Sequence, residues 1–84
     1  MNIIKTTSEL SQFCDYAYNF DYITVDTEFL RERTYYPKLC LIQLAIPSDR
    51  EDSAVLVDPL EGHLDLSPLY ELFLNSDVVK VFHA

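Results

Sequence analysis

Residues 22–28 read YITVDTE, a run rich in β-branched and aromatic residues that is typical of a β-strand. Successive side chains of a strand point to opposite faces, so Ile23 and Val25 share one face. Asp26 and Glu28 share the other face, with Cα atoms roughly 6–7 Å apart. We therefore expect a strand in the middle of a sheet that presents two carboxylates near its C-terminal end.

The segment before this strand predicts a short edge strand and a helix. Residues 2–4 are apolar enough for the edge strand, and TTSE at residues 6–9 has the form of a capping box. Apolar residues spaced by three and four then predict a helix from about Ser8 to Tyr18. The buried stripe of this helix would consist of Leu10, Phe13, Cys14, Ala17 and Tyr18.

The segment after the strand predicts further strands and a second helix. Strands are expected at residues 40–46 and 54–57, and they should be antiparallel because the polar loop between them is too short for a crossover helix. A helix should follow, with Ser67 as its N-cap and Pro68 as its first helical residue. An apolar strand at residues 78–82 completes the order βαβββαβ, an α/β fold with two helices.

Length and composition limit the class of protein. The chain has 84 residues, a formal net charge of −8 and an apolar share of 49%. A chain of this size buries only about 60–65% of its unfolded surface, which suits one soluble domain. No apolar run reaches the roughly 18 residues of a membrane span, and the N-terminus lacks the pattern of a signal peptide, so we expect a cytoplasmic protein. The acidic balance opposes nucleic-acid binding through general phosphate neutralisation alone.

The sequence lacks the residues that several classes of cofactor and metal site need. The single glycine, Gly62, provides no phosphate-cradling loop of the Walker or dinucleotide type, which excludes ATP and NAD chemistry of that kind. Two cysteines, Cys14 and Cys40, are too few for a structural zinc site or a disulfide framework. We expect both to be reduced thiols in the core.

The pair Asp26 and Glu28 carries the clearest chemical signal. Two carboxylates on one surface need a compensating cation, and Mg²⁺ or Mn²⁺ prefers such hard oxygen ligands. Pairs of these ions about 3.5–4 Å apart activate water and stabilise the leaving oxygen in phosphodiester cleavage. The spacing thus allows nuclease chemistry, although a solvated strand end would have the same pattern.

The next segment, residues 29–38, mixes positive charge with aromatic rings. It contains half of the chain's positive charge, in Arg31, Arg33 and Lys38, together with Phe29, Tyr35 and Tyr36. Phosphate contacts and base stacking require this mixture. An amphipathic connection whose rings close the core would look the same.

Three separated segments resemble the ribonuclease D family, in the order found there. Residues 25–44 resemble its first exonuclease motif, and residues 55–60 and 79–84 resemble later landmarks. The resemblance implies a ribonuclease H-like fold and a 3′–5′ exoribonuclease of the four-carboxylate (DEDD) type. Such an enzyme uses Mg²⁺ or Mn²⁺ in a two-metal site to process the 3′ ends of RNA, tRNA precursors included, and releases nucleoside monophosphates.

The resemblance also implies roles for individual residues. Asp26 and Glu28 would be catalytic metal ligands. The residues that would contact the terminal nucleotide are Thr27, Phe29, Arg31, Arg33, Tyr35 and His83.

The family pattern continues beyond this sequence, with an Asp expected about four residues after Ala84 and a Tyr and another Asp further on. Residues 1–84 are therefore interpreted as the N-terminal part of an exonuclease domain with half of the metal ligands. Alone, the chain should have little or no activity and should associate with itself through uncovered sheet surface. Two other interpretations are a DNA-directed 3′–5′ exonuclease and a non-catalytic interaction module.

Overall fold

The computed structural model describes residues 2–31, 37–50, 53–59 and 62–83. Within these residues the predicted order βαβββαβ is confirmed. The elements are β1 (Asn2–Ile4), α1 (Thr7–Ala17), β2 (Tyr22–Arg31), β3 (Pro37–Ala45), β4 (Ala54–Val57), α2 (Ser67–Leu74) and β5 (Val79–Phe82).

The strands form one mixed sheet in the order β1-β4-β3-β2-β5. β3 is antiparallel to both of its neighbours, β2 and β4, and its pairing with β4 is the one that the short loop before Ala54 predicted. β1 runs parallel to β4 at one edge, and β5 runs parallel to β2 at the other. β2 extends to Arg31, past the end of β5 at Phe82, so Asp26 lies within β2 and the prediction that it lies near the C-terminal end of its strand was wrong.

Helix α1 begins with the predicted capping box. The Thr6 hydroxyl accepts a hydrogen bond from the Glu9 N–H at 3.1 Å, and the Glu9 carboxylate accepts one from the Thr6 N–H at 3.1 Å. Both bonds satisfy donors that have no partner inside the helix. The buried residues are Leu10, Phe13, Cys14 and Ala17, which confirms most of the predicted stripe, whereas Tyr18 is the exposed C-cap.

Helix α2 begins one residue earlier than predicted. Ser67 is its first helical residue and Leu66 is the N-cap, so the assignment of Ser67 as N-cap was wrong. The reason lies two residues upstream, where the Asp65 carboxylate accepts hydrogen bonds from the Ser67 N–H at 2.9 Å and from its hydroxyl at 2.6 Å. These bonds lower the pKa of the Asp65 carboxyl group from its usual value. Asp65 also donates its own N–H to the Thr7 hydroxyl at 2.9 Å, which ties this turn to α1.

Both helices pack on one face of the sheet. The core residues below 2% exposure are Leu10, Cys14, Ala17, Ile23, Leu44, Val57, Leu69 and Leu72. They come from α1, α2 and the three central strands, and they form a single cluster with the other buried residues. On β5, the Phe82 ring contacts Phe73 of α2 with centroids 6.0 Å apart, so Phe82 also belongs to the helix side.

The opposite face of the sheet carries no helix from the described part of the chain. Strand alternation places Ile3, Tyr22, Val79 and Val81 on this face, where they are 48%, 43%, 59% and 39% exposed. We call these four residues the open apolar face. Neither helix in the described ranges is long or apolar enough to cross a membrane.

Candidate metal centre

Asp26 lies on β2, on the sheet face that the helices leave open. Its neighbour Val25 is 2% exposed and points into the core, so Asp26 points away from it. The Asp26 side chain is half-buried, and its carboxylate makes no hydrogen bond or ion pair with any residue in the described ranges. Within the described residues the carboxylate is therefore not held by another side chain, and carboxylate oxygens are ligands that a hard divalent cation prefers.

Glu28 lies two residues further along the same strand. The β2–β3 ladder runs without a shift from Thr24 to Leu30, and its first irregularity lies between Leu30 and Arg31. Positions 26 and 28 therefore share one face of the sheet, as the sequence predicted. The Glu28 side chain itself lies outside the described part of the structure.

His83 is brought next to Asp26 by the parallel pairing of β2 with β5. The pairs run from Tyr22 with Val79 to Val25 with Phe82. The His83 N–H donates to the Val25 carbonyl at 3.0 Å, which continues this register by one residue beyond β5. His83 is exposed and lies beside Asp26, at the point where β5 ends and β2 continues to Arg31.

The remaining predicted contacts differ in how far the structure describes them. Thr27 is exposed and alternates to the opposite side of β2 from Asp26, so only its main chain is near the Asp26 face. Phe29 and Arg31 have backbone positions in β2, but their side chains lie outside the described part, as do Arg33 and Tyr35 altogether. Their substrate-binding roles stay predictions.

The donor set fits a hard divalent cation only in part. The described residues contain no group of three or more His, Cys, Asp or Glu that could hold a metal ion. Asp26 provides one carboxylate, and position 28 is placed for a second. Such oxygen donors suit Mg²⁺ or Mn²⁺ rather than a soft metal.

A cysteine-based site is not supported by the one cysteine whose side chain is described. Cys14 is 1% exposed, and burial together with the nearby charge of Asp15 raises the pKa of its thiol to about 12. The thiol is therefore protonated at neutral pH and is neither a nucleophile nor a ligand. This agrees with the prediction that Cys14 belongs to the core.

Sequence reasoning missed Gln43, which pairs directly with Asp26 across the β2–β3 ladder. Its side chain is half-buried on the same face as Asp26. The signal was present, because Gln43 is the one polar residue in the run LCLIQLAI at residues 39–46.

Comparison with known proteins gives a consistent family. Residues 1–84 match the family model described as 3′-5′ exonuclease. The Ribonuclease D of Jannaschia sp. (strain CCS1) is 59% identical over 81 residues, which are 96% of this chain and 21% of that protein. The Ribonuclease D of Nitrobacter hamburgensis is 51% identical over 84 residues, covering 100% of this chain and 21% of that protein.

Two solved structures have the same fold. Escherichia coli RNase D, described as an exoribonuclease involved in structured RNA processing, matches with a TM-score of 0.74 and 39% identity over 100% of this chain and 22% of its own. The catalytic core of RRP6 from Trypanosoma brucei matches with a TM-score of 0.75 and 25% identity over 99% of this chain and 22% of its own. This chain thus spans about a fifth of the length of these relatives.

Proposed function

This chain belongs to the 3′–5′ exonuclease family, and from that membership we propose that it acts as part of an exoribonuclease that shortens RNA from the 3′ end. The observation that carries the proposal is the place of Asp26. Its half-buried carboxylate, which has no partner among the described residues, lies within β2, beside His83 and on the same face as position 28. That is the arrangement that a divalent cation and a phosphate group need.

Asp26 and Glu28 are the residues that would hold Mg²⁺ or Mn²⁺. The bound ions supply Lewis-acid chemistry, which makes a water molecule nucleophilic and stabilises negative charge on the departing oxygen. In the proposed hydrolysis, the water oxygen bonds to phosphorus and the bond from phosphorus to the 3′ oxygen breaks. The water loses a proton and the 3′ oxygen gains one, which leaves a nucleoside 5′-monophosphate and an RNA one nucleotide shorter.

The other site residues would hold the terminal nucleotide. His83 is placed to reach its sugar or phosphate from the end of β5. Phe29 and Tyr35 would stack on the base, and Arg31 and Arg33 would neutralise phosphates. Thr27 would contribute through its main chain. The RNA class that we propose is structured RNA with a 3′ extension, such as a tRNA precursor, since E. coli RNase D is described as acting on structured RNA.

Residues 1–84 would form the N-terminal part of the exonuclease domain. The coverage of about 21% of the Jannaschia Ribonuclease D supports the assignment to a part of a longer protein. With Asp26 and Glu28 as the ligands that it supplies, the 84-residue chain alone should have low activity or none.

A chimera tests the proposed activity directly. We expect that this chain can replace the matching segment of the Jannaschia Ribonuclease D, with which it is 59% identical, and that the product shortens a 5′-labelled RNA in single-nucleotide steps. The steps should require Mg²⁺ or Mn²⁺ and stop with EDTA. A DNA of the same sequence is the control substrate. Preference for DNA would support the DNA-directed alternative, and a folded chimera without nuclease activity would overturn the proposal.

The open apolar face supports a second proposal, that the 84-residue chain associates with itself. Exposed Tyr22, Val79 and Val81 are adjacent on this face, and β5 has a free edge within the described residues. We expect its molar mass in light scattering to rise with concentration, and Val81→Lys to reduce the rise. Leu74→Lys, at a residue 85% exposed on α2, should leave it unchanged. A monomer at every concentration would contradict this.

A further inference from the structure

We propose that the outer edge of β1 binds an extended acidic segment of a partner protein, which pairs with β1 as an additional strand of the sheet. This edge is remote from Asp26, because β4 and β3 lie between β1 and β2. The proposal does not use the exonuclease reaction, so either one can fail without the other.

The first argument is the strand itself. β1 is the outermost strand of the sheet, and within the described residues it pairs with β4 on one side. Its outer side therefore presents main-chain N–H and C=O groups that can pair with about three residues of an added strand. β1 contains no charged residue or proline, which commonly protect an edge from such pairing, and its Ile3 side chain is exposed.

The second argument is a groove beside this edge. The groove lies between β1 and α1 and has a volume of about 440 Å³, a size typical of protein ligand sites. The apolar part of its lining includes the core residues Ile4, Phe13 and Val55. Alternate side chains of an added strand point to the helix side of the sheet. One apolar side chain of the partner would therefore enter the groove.

The third argument is the position of two cations. Arg50 lines the groove, and its guanidinium carbon lies 4.5 Å from the centre of the Tyr16 ring, a contact that holds the cation against α1. The loop that contains Arg50 precedes β4, which runs parallel to β1, so Arg50 lies toward the start of β1. Lys5 follows the end of β1 and lines a shallower depression that shares Ile3 with the groove. The partner segment would thus lie between two positive charges.

Glu9, the one acidic residue in the described lining, is engaged in the cap of α1. Its Oε1 accepts hydrogen bonds from the Lys5 N–H at 3.2 Å and from the Thr6 N–H and hydroxyl at 3.1 Å each. Lys5 and Arg50 therefore set the sign of the charge at the two ends, which favours a segment with an acidic residue on each side of its apolar one. The net charge of −8 opposes such a segment only weakly, because charges more than about 8 Å apart are largely screened at physiological ionic strength.

The test uses a fluorescein-labelled peptide of alternating threonine and isoleucine with a glutamate at each end. Its binding to the 84-residue chain is measured by fluorescence anisotropy, and we expect saturable binding. A peptide with the same side chains and N-methylated amides should bind at least about tenfold more weakly, because it cannot donate the ladder hydrogen bonds. No binding of the first peptide, or equal binding of the two, would overturn the proposal.

Two substitutions locate the binding site. Gln12→Trp, at an exposed residue of α1 that lines the groove, should fill the groove and weaken binding at least about tenfold. Lys5→Glu should weaken binding about tenfold, because a repulsion replaces an attraction between surface charges, and it should strengthen binding of a peptide with lysines in place of the glutamates.

The matched controls are Ser76→Trp and Ser76→Glu. Ser76 is exposed in the turn before β5, at the opposite edge of the sheet, so both variants should bind the glutamate peptide as the unchanged chain does. Unchanged binding in Gln12→Trp, or equal losses at positions 12 and 76, would mean that the peptide does not occupy the groove, and the proposal would be wrong.

A second measurement needs no substitution. In nuclear magnetic resonance spectra, main-chain amide signals of residues 2–4 should shift on addition of the glutamate peptide, whereas those of β5 should not. The other occupant to consider is a second copy of this chain. If the signals of residues 2–4 shift when the concentration of the chain alone is raised, and not with the peptide, the edge pairs with a second copy and the proposal is overturned.

Discussion

Asp26→Asn is expected to weaken binding of Mn²⁺ to this chain by at least about 100-fold, because even residues that only orient a ligand change metal affinity by about 10–100-fold. The substitution removes the negative charge and leaves the size of the side chain unchanged. It should also abolish metal-dependent RNA shortening by the chimera with the Jannaschia Ribonuclease D. The fold should persist, since Asp26 makes no hydrogen bond or ion pair with a described residue that the change could break.

The matched control is Asp21→Asn. Asp21 is an exposed aspartate just before β2, and its described contact is a backbone hydrogen bond from the Val79 N–H to its carbonyl at 2.8 Å, which the substitution leaves intact. Mn²⁺ affinity should be unchanged in this variant, although the net charge changes by the same amount. Equal loss in both variants would mean that the effect is general electrostatic attraction to an acidic chain, and it would remove the basis for a specific site.

Leu72→Ala is expected to cause the largest loss of stability among the substitutions discussed. Leu72 lies on the inner side of α2 and is 0% exposed. Removing a fully buried leucine side chain loses its transfer free energy and leaves a cavity, which together cost about 2–5 kcal/mol. A domain of this size has a total stability of roughly 4–13 kcal/mol. The melting temperature should fall by about 10 °C or more.

Leu74→Ala on the same helix is its control. Leu74 is 85% exposed, so the same chemical change removes little buried surface there, and the free energy of unfolding should change by less than about 0.5 kcal/mol. Denaturant unfolding monitored by circular dichroism would measure both variants. Similar losses at the two positions would mean that α2 does not pack on the sheet as described.

Local patterns were predicted well because a few neighbouring residues determine them. The capping box at Thr6 and Glu9 needs four consecutive residues, and the buried stripe of α1 needs the helical period. The start of α2 shows the limit of such reasoning. Ser67 followed by Pro68 is a common N-cap pattern, but Asp65 binds the Ser67 N–H and hydroxyl first and moves the helix start by one residue.

The sequence predicted the site residues that lie on one strand, but it did not predict the residue that pairs with them from a second strand. Asp26 and Glu28 could be assigned to one face because strand alternation has a period of two residues. Gln43 could not be assigned to Asp26, because a partner across a ladder depends on the register of two strands, which no single strand encodes.

The amino-acid sequence alone determined the strand with its two acidic residues, the buried apolar stripes of the helices and the similarity to the ribonuclease D family. The packed molecule adds the order β1-β4-β3-β2-β5, the choice of which sheet face the helices cover, and the approach of Gln43 and His83 to Asp26. The difference has a physical cause. Periodicity and capping arise between near neighbours in the chain, whereas strand order and register come from burying apolar surface between segments far apart in it.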